Sequence, residues 1–342
     1  VYGSQSIATI QSVSFDLKSG DILGLLGSSG CGKTTLLRLI AGFERPEQGE
    51  VWLEERPVTT PTVFCPVEAR SIGMVFQDFA LFPHLTVFDN IAFGLRVRIP
   101  PRSDALRKRV LEVLELVNLA GFQNRYPHEL SGGQQQRIAL ARTLAPHPKL
   151  ILLDEPLSNL DVQVRVRLRH ELRQILKATQ TTAIFVTHDH EEALSISDQL
   201  LVLHNGHIEQ LGTPETVYYA PKSRFIAEFV AQSNLLPVQR QGTVWQTEVG
   251  DFEVDATGVE NPLLERGWLM VREEDLCFHP HPQGGVKLCD RQFLGREYRY
   301  CLQTPTGRLL HARSSTQQSW ELGTVGYVSA HATALKIFAD LP

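Results

Sequence analysis

The run Gly27-Ser28-Ser29-Gly30-Cys31-Gly32-Lys33-Thr34 constrains the fold of this chain more than any other segment. It satisfies G-x-x-x-x-G-K-[ST], follows the apolar run Ile22-Leu23-Gly24-Leu25-Leu26 and leads into Thr35-Leu36-Leu37-Arg38-Leu39-Ile40, which reads as a helix. In that context glycines let successive backbone N–H groups turn inward around phosphate oxygens, at a helix start whose dipole favours the anion. Gly27, Ser28, Ser29, Gly30, Cys31 and Gly32 form the expected cradle. Lys33 is expected to carry charge to the β- and γ-phosphates, and Thr34, with Thr35 beside it, to offer a hydroxyl to Mg2+. A strand that delivers such a loop belongs in a mainly parallel α/β sheet.

A second run, Leu150-Ile151-Leu152-Leu153-Asp154-Glu155, has the continuous apolar character of a strand buried on both faces and ends in two acids. Strand ends are where open α/β sheets place ligands. Asp154 is the expected holder of the Mg2+ shell, and Glu155 the group that polarises the water attacking the γ-phosphate.

Between the two lies Leu130-Ser131-Gly132-Gly133-Gln134-Gln135-Gln136-Arg137. Locally this is a serine N-cap and glycine turn before a helix over residues 134–144, and a hydroxyl with free N–H groups at a helix start is also an anion site. On these three runs the chain resembles the nucleotide-binding subunits of ATP-binding cassette (ABC) transporters, over nearly all of its 342 positions. The resemblance implies a P-loop NTPase cassette using ATP and Mg2+, in which Ser131, Gly132, Gly133 and Gln134 complete the ATP site of an opposite subunit. It further implies that Gln77, in Met74-Val75-Phe76-Gln77-Asp78, senses Mg2+ and the attacking water. Asp161, in Ser158-Asn159-Leu160-Asp161, would lie in the loop crossing the dimer interface, and His188, in Val186-Thr187-His188-Asp189, would be the γ-phosphate switch. The catalytic set implied is Glu155, His188, Gln77 and Lys33, and the metal set is Thr34, Gln77 and Asp154. Tyr2 is the aromatic positioned to stack on adenine, with a simple strand-edge aromatic as the alternative; its spacing to Lys33 is stretched around Gln5-Ser6-Ile7. The chain opens at Val1 rather than methionine, and a further strand is expected ahead of it.

Length points to two domains: a cassette over residues 1–232 with a helical subdomain over about residues 89–144, then a β domain over residues 233–342. Strands are expected near residues 22–26, 71–76, 150–153, 183–187 and 199–203, and Leu106, Val110, Val113, Leu114 and Val117 recur at helical spacing. The apolar loop Phe79-Ala80-Leu81-Phe82-Pro83-His84-Leu85-Thr86-Val87 either packs inward or, as the resemblance implies, lines a groove for a cytoplasmic helix of a membrane subunit. Beyond residue 235, strand-like runs over 242–249, 268–271, 296–303, 308–312 and 324–329, divided by glycine and proline, suggest a small β-barrel. That segment resembles the oligonucleotide-fold-like (OB-like, TOBE-type) domain of importer ATPases, although Glu273, in Arg272-Glu273-Glu274-Asp275-Leu276, stands where proline is more usual. It would brace a dimer or sense a ligand.

A net charge of −5, from 33 basic and 38 acidic residues, argues against a broad nucleic-acid footprint, and no nucleic-acid partner is expected. No apolar stretch is long enough to cross a bilayer and no signal-peptide pattern opens the chain. Five cysteines without paired C-x-x-C spacing point to a reducing compartment and no structural zinc; Cys277, Cys289 and Cys301 read as small buried hydrophobes. Isolated histidines such as His279, His281, His311 and His331 lack ligand spacing and read as surface or hydrogen-bonded groups. One P-loop and no internal repeat mean that two chains are needed for two composite sites, hence a homodimer.

The resemblance implies an import ATPase held peripherally on the cytoplasmic face of the inner membrane by transmembrane permease subunits, with a solute-binding protein as an indirect partner. The stretches Arg125-Tyr126-Pro127-His128-Glu129-Leu130 and Leu81-Phe82-Pro83-His84-Leu85-Thr86-Val87 look most like ferric-iron importers. Polyamine, sulfate, molybdate and sugar importers share much of that pattern. A soluble, non-transport ABC ATPase is the remaining alternative.

Overall fold

The computed structural model describes residues 9–339 apart from 98, 102, 256, 257, 260 and 262. The chain divides into two compact units, Val1–Val217 and Tyr218–Pro342. In the first, the described elements run β1 (Ile22–Gly27), α1 (Lys33–Ala41), β2 (Val51–Leu53), β3 (Arg56–Thr59), β4 (Ile72–Val75), α2 (Val87–Ala92), α3 (Asp104–Leu116), α4 (Gly132–Leu144), β5 (Leu150–Asp154), α5 (Val162–Ala178), β6 (Thr182–Val186), α6 (His190–Ile196), β7 (Gln199–His204) and β8 (His207–Gly212). Helix α7 (Pro214–Tyr219) follows, across the division.

One sheet organises this unit, in the order β4-β5-β6-β1-β7-β8, with β8 alone antiparallel to its neighbour. The expected strands over 22–26, 71–76, 150–153, 183–187 and 199–203 are its five parallel members. Their near-continuous apolar character follows from burial on both faces. Alternate side chains feed two cores: Ile151, Leu153, Ala183 and Phe185 pack with α2 to α5, whereas Leu150, Leu152, Ile184 and Val186 pack with Leu36, Leu37 and Ile40 of α1.

Helices α2, α3 and α4 occupy the expected helical region. The predicted stripe on α3 is real, since Leu106, Val110, Val113, Leu114 and Val117 are all buried. Ser103 starts α3 by accepting from the Leu106 N–H at 3.2 Å. The apolar loop before α2 is pinned by Asn90, a fully buried amide that accepts from Phe82 N and donates to the carbonyls of Phe82, Leu85 and Thr86 at 3.0–3.1 Å. Phe79 turns into the core, while Phe82 stays half-buried against Phe93, their ring centres 4.5 Å apart.

The second unit holds α8 (Arg224–Phe229), then β9 (Asn234–Gln241), β10 (Val244–Thr247), β11 (Gly250–Glu253), β12 (Arg266–Val271), β13 (Cys277–Pro280), β14 (Val286–Phe293), β15 (Glu297–Gln303), β16 (Leu309–Ser315), β17 (Val325–Ser329) and β18 (Lys336–Ala339). Helix α8 groups with it because Ala227 and Ala231 pack against Leu235, Met270 and Phe338. The strands form two five-stranded antiparallel sheets, β11-β10-β9-β12-β18 and β13-β17-β14-β15-β16, around one core that includes Leu236, Trp245 and Leu269 from one and Leu288, Tyr300 and Leu302 from the other. Asn234 stitches the sheets: its side chain accepts from His311 N and donates to His311 O, both at 2.7 Å, and donates to Val271 O. The anomalous Glu273 is buried and takes Arg299 and Arg313 as partners at 2.5–3.2 Å.

The cysteines of this unit depart from the sequence expectation. Cys277 and Cys289 are exposed and Cys301 is half-buried, because each occupies an outward position on its strand.

Candidate functional site

The expected site residues gather at the C-terminal ends of the parallel strands. Across the sheet, Asp154 of β5 lies level with Val186 of β6, which lies level with Leu25 of β1. Gln77 follows β4, Glu155 follows β5, His188 follows β6 and the glycine loop follows β1, so four loops converge on one edge.

The loop between β1 and α1 explains its own glycines. A Cβ on Gly27 would lie 2.3 Å from Leu203 O and 2.7 Å from Cys31 Sγ, and Gly32 has φ of +107° with Ile10 2.5 Å from where a Cβ would be. Lys33 is nearly buried, and its ammonium donates to the carbonyls of Gly27 at 2.8 Å and Ser28 at 2.9 Å. The loop therefore already curls around a cation-tipped side chain, as a phosphate cradle needs. Thr34 is exposed at the first turn of α1, beside half-buried Thr35, while Ser29 and Gly30 face solvent. Cys31 is buried with 4% exposure, which shields its thiol.

Asp154 and Glu155 stand together. Burial, reinforced by the adjacent Glu155 charge, pushes the Asp154 carboxyl above its ordinary range, and Arg38 and Lys33 pull it back down. A carboxylate held at such a cost fits a site whose counter-charge is a bound cation, and with the exposed Thr34 hydroxyl it offers the hard oxygen donors Mg2+ prefers. Among the described residues no group of three or more His, Cys, Asp or Glu side chains could hold a metal by itself, so phosphate oxygens and waters would complete such a shell.

Glu155 adopts the left-handed conformation, φ 45°, and its N–H donates to Val186 O at 3.1 Å. That turn aims its carboxylate at His188, with Oε2 3.2 Å from Nδ1. The sequence places these two residues thirty-three apart, and the fold brings them into contact. Gln77 is exposed, and its carbonyl accepts from Asn159 Nδ2 at 2.9 Å, which ties its loop to the segment before Asp161. Asp161 is itself the N-cap of α5, accepting from Val164 N at 3.0 Å.

Ser131 caps α4, and a reciprocal pair joins it to Gln134: Ser131 N donates to Gln134 Oε1 at 2.9 Å and Gln134 N to Ser131 Oγ at 3.4 Å. Gly132 and Gly133 are small because Leu160, Val164 and Leu168 approach within 3.0–3.2 Å of any added Cβ. The run opens on a cavity of about 360 Å3 that also touches Asn159 and Asp161, and none of its lining residues belongs to the P-loop. Within one chain the two glycine runs thus face different spaces. Tyr2 lies outside the described residues.

Two supporting sets escaped the sequence reading. Arg165, Arg169 and Arg173 recur every four residues on α5; Arg169 bonds Asp189 and Glu191 at 2.9 Å, Arg165 approaches Asp189 at 3.5 Å, and Arg173 holds Asp198 at 2.9 Å. They brace the segment after His188, and their i, i+4 spacing was the available signal. Arg142 on α4 donates to Ala80 O at 2.6 Å and Phe79 O at 3.0 Å, just beyond Gln77. No local pattern announces it.

The sequence pattern of the family described as "ABC transporter" matches residues 10–158. The chain is 46% identical over 290 residues to the sulfate/thiosulfate import ATP-binding protein CysA 1 of Agrobacterium fabrum, covering 82% of this chain and 81% of that protein. It is 44% identical over 279 residues to the spermidine/putrescine import ATP-binding protein PotA of Legionella pneumophila, covering 80% and 75%. Among solved structures, the ATP-binding cassette MJ0796, a dimer in a post-hydrolysis state bound to ADP and Pi, aligns with a TM-score of 0.54 at 32% identity over 62% of this chain and 94% of that one.

Proposed function

The chain belongs to the ATP-binding proteins of the ABC transporter family, and from that premise we propose that it powers solute import as a homodimer docked on permease subunits. Its cofactors are ATP and Mg2+. In this reading residues 1–232 form the cassette and residues 233–342 the accessory β domain. The protein would sit peripherally on the cytoplasmic membrane face, with a solute-binding protein as indirect partner; no helix among the described residues is long and apolar enough to cross a membrane.

The observation that carries the reading is the convergence of Lys33, Asp154, Glu155 and His188 on one sheet edge, with Glu155 and His188 3.2 Å apart. Lys33 and the glycine loop hold the phosphates; Thr34, Asp154 and Gln77 would hold Mg2+, which supplies charge neutralisation on the phosphate oxygens. Glu155 orients the attacking water and accepts its proton, and His188 positions Glu155 and contacts the γ-phosphate. Ser131, Gly132, Gly133 and Gln134 line a cavity that no residue of their own P-loop lines, which supports their binding a second subunit's ATP, with Asp161 beside them at the interface. Glu155→Gln should abolish steady-state hydrolysis and accumulate a dimer in ATP on gel filtration; a variant still monomeric with saturating ATP would contradict the arrangement.

For the cargo we favour sulfate/thiosulfate or a polyamine over ferric iron. The support is that relatives matched across about four-fifths of this chain are sulfate/thiosulfate and spermidine/putrescine import ATP-binding proteins. Uptake of labelled sulfate, spermidine and ferric iron in cells deprived of this chain, then complemented with it, separates the three. Loss confined to iron uptake would restore the earlier expectation.

A further inference from the structure

Leu288 of β14 and Leu302 of β15 lie opposite one another and are both fully buried. One step along each strand, Cys289 and Cys301 therefore point away from the core. The register slips between Leu288 and Asp290, so Cys289 and Asp290 together oppose Cys301. Such a bulge leaves its extra residue unpaired in the ladder and re-aims its side chain. Here the re-aimed thiol donates to the Cys301 carbonyl at 3.1 Å, which holds its sulfur against the residue that bears the second thiol. Cys289 is exposed and Cys301 half-buried beneath it.

We propose that Cys289 and Cys301 form a reversible dithiol, which peroxide oxidises to an intrachain disulfide joining β14 to β15. Cys289 is the accessible sulfur. As thiolate it attacks one peroxide oxygen, the O–O bond breaks, and the departing hydroxide takes up a proton to leave as water. The resulting Cys289 sulfenic acid is then attacked by Cys301 sulfur, the S–O bond breaks, and the Cys301 proton goes with the hydroxyl as a second water. Two thiols and one peroxide give one disulfide and two waters. Burial, then the neighbouring Cys289 thiol and Asp290, push the Cys301 thiol up to about 12, so it stays protonated until the second step and does not compete for the first. The order of events follows from the geometry. The product would fix a bulge that alternation alone does not hold in register.

The test uses the full chain treated with hydrogen peroxide, blocked with N-ethylmaleimide, digested without reductant and read by mass spectrometry. Exposed Cys277 is an internal control for general oxidation. The expected result is a cross-linked peptide pair holding Cys289 and Cys301, about tenfold more abundant than any cross-link to Cys277, since disulfide closure between the paired strands is intramolecular, and reversed by dithiothreitol. Cys289→Ser should leave Cys301 as free thiol, and Cys301→Ser should leave Cys289 as a sulfenic acid trapped by dimedone, with circular dichroism confirming that both variants are folded. Oxidation of Cys277 while both partners stay free, or their appearance only in cross-links to other cysteines, would overturn the proposal.

Discussion

Replacing Arg142 with alanine tests how the loop beside Gln77 is held. Phe79 and Ala80 have φ of 62° and 45°, left-handed conformations that cost an L-residue about 1–2 kcal/mol each, so the pair stores about 2–4 kcal/mol. The Arg142 guanidinium meets both of their carbonyls and lies over the Phe82 ring at 5.7 Å. Hydrogen bonds to a charged donor contribute about 1.5–3 kcal/mol each when buried, and partial exposure at Ala80 brings the two together to about 2–4 kcal/mol. Clamp and strain are comparable, so removing the clamp should let the loop relax. Phe79 keeps its buried ring as an anchor, whereas Ala80 is exposed and has none. A net loss of about 2 kcal/mol raises the locally open population about 30-fold. Hydrogen exchange at amides 79–81 should accelerate by that factor in Arg142→Ala, with kcat for ATP down about tenfold and KM within about twofold, because the P-loop stands on another element. Ala80→Gly in the same background removes about 1 kcal/mol of strain and should recover several-fold of the lost protection. Exchange as slow as in the parent, or a collapse in KM with kcat intact, would refute the clamp.

Gly27→Ala places a methyl 2.3 Å from Leu203 O, and should abolish binding of a fluorescent ATP analogue while lowering the melting temperature by several degrees. Cys31, at 4% exposure, should react with a bulky thiol reagent far more slowly than Cys277 or Cys289, and its slow labelling should fall further in ATP; rapid labelling of all three would show an open loop. For Glu273, burial pushes the carboxyl up, but hydrogen bonds from Arg299 and Arg313 outweigh it and hold the group below its ordinary value. A depressed folded value means that the unfolded chain binds the proton first, so this contribution is full above the ordinary glutamate range, about 4.3, and is lost as pH falls below it. Urea melts of the full chain should lose stability in that acid window, and Glu273→Gln should flatten this dependence while costing about 2–4 kcal/mol at neutral pH.

How far the sequence shows this fold depends on how local each signal is. The parallel strands are legible because burial on both faces leaves uninterrupted apolar runs such as Leu150 to Leu153, and the P-loop because its glycines answer to contacts within a few residues. Strand β8, His207–Gly212, is polar at an edge and carries no such run. The β14 strand is hidden by its bulge, since Cys289 and Asp290 break the alternation that Val286 and Leu288 begin. Short punctuated strands make the β character of the second unit legible, but not its division into two sheets, joined in part by the Asn234 amide, whose His311 partner lies seventy-seven residues away. The arginine clamps are invisible for the same reason: Arg142 reaches back sixty-two residues to Ala80.

That reach gives α4 a position no motif states. Its N-terminus carries Ser131 and its last turn carries Arg142, about 16 Å further along a straight helix. The Arg142 end holds the loop that follows Gln77, and the Gln77 carbonyl in turn takes the Asn159 side chain, two residues before Asp161. Asn159 and Asp161 line the same cavity as Ser131. The contacts therefore close a ring, from Ser131 along α4 to the Gln77 loop and back through Asn159 to the cavity that Ser131 lines. In the proposed homodimer, a phosphate drawn against Ser131 by a second subunit would load the strained pair Phe79 and Ala80 through Arg142, which makes the Gln77 loop the place to look for the resulting change of backbone conformation.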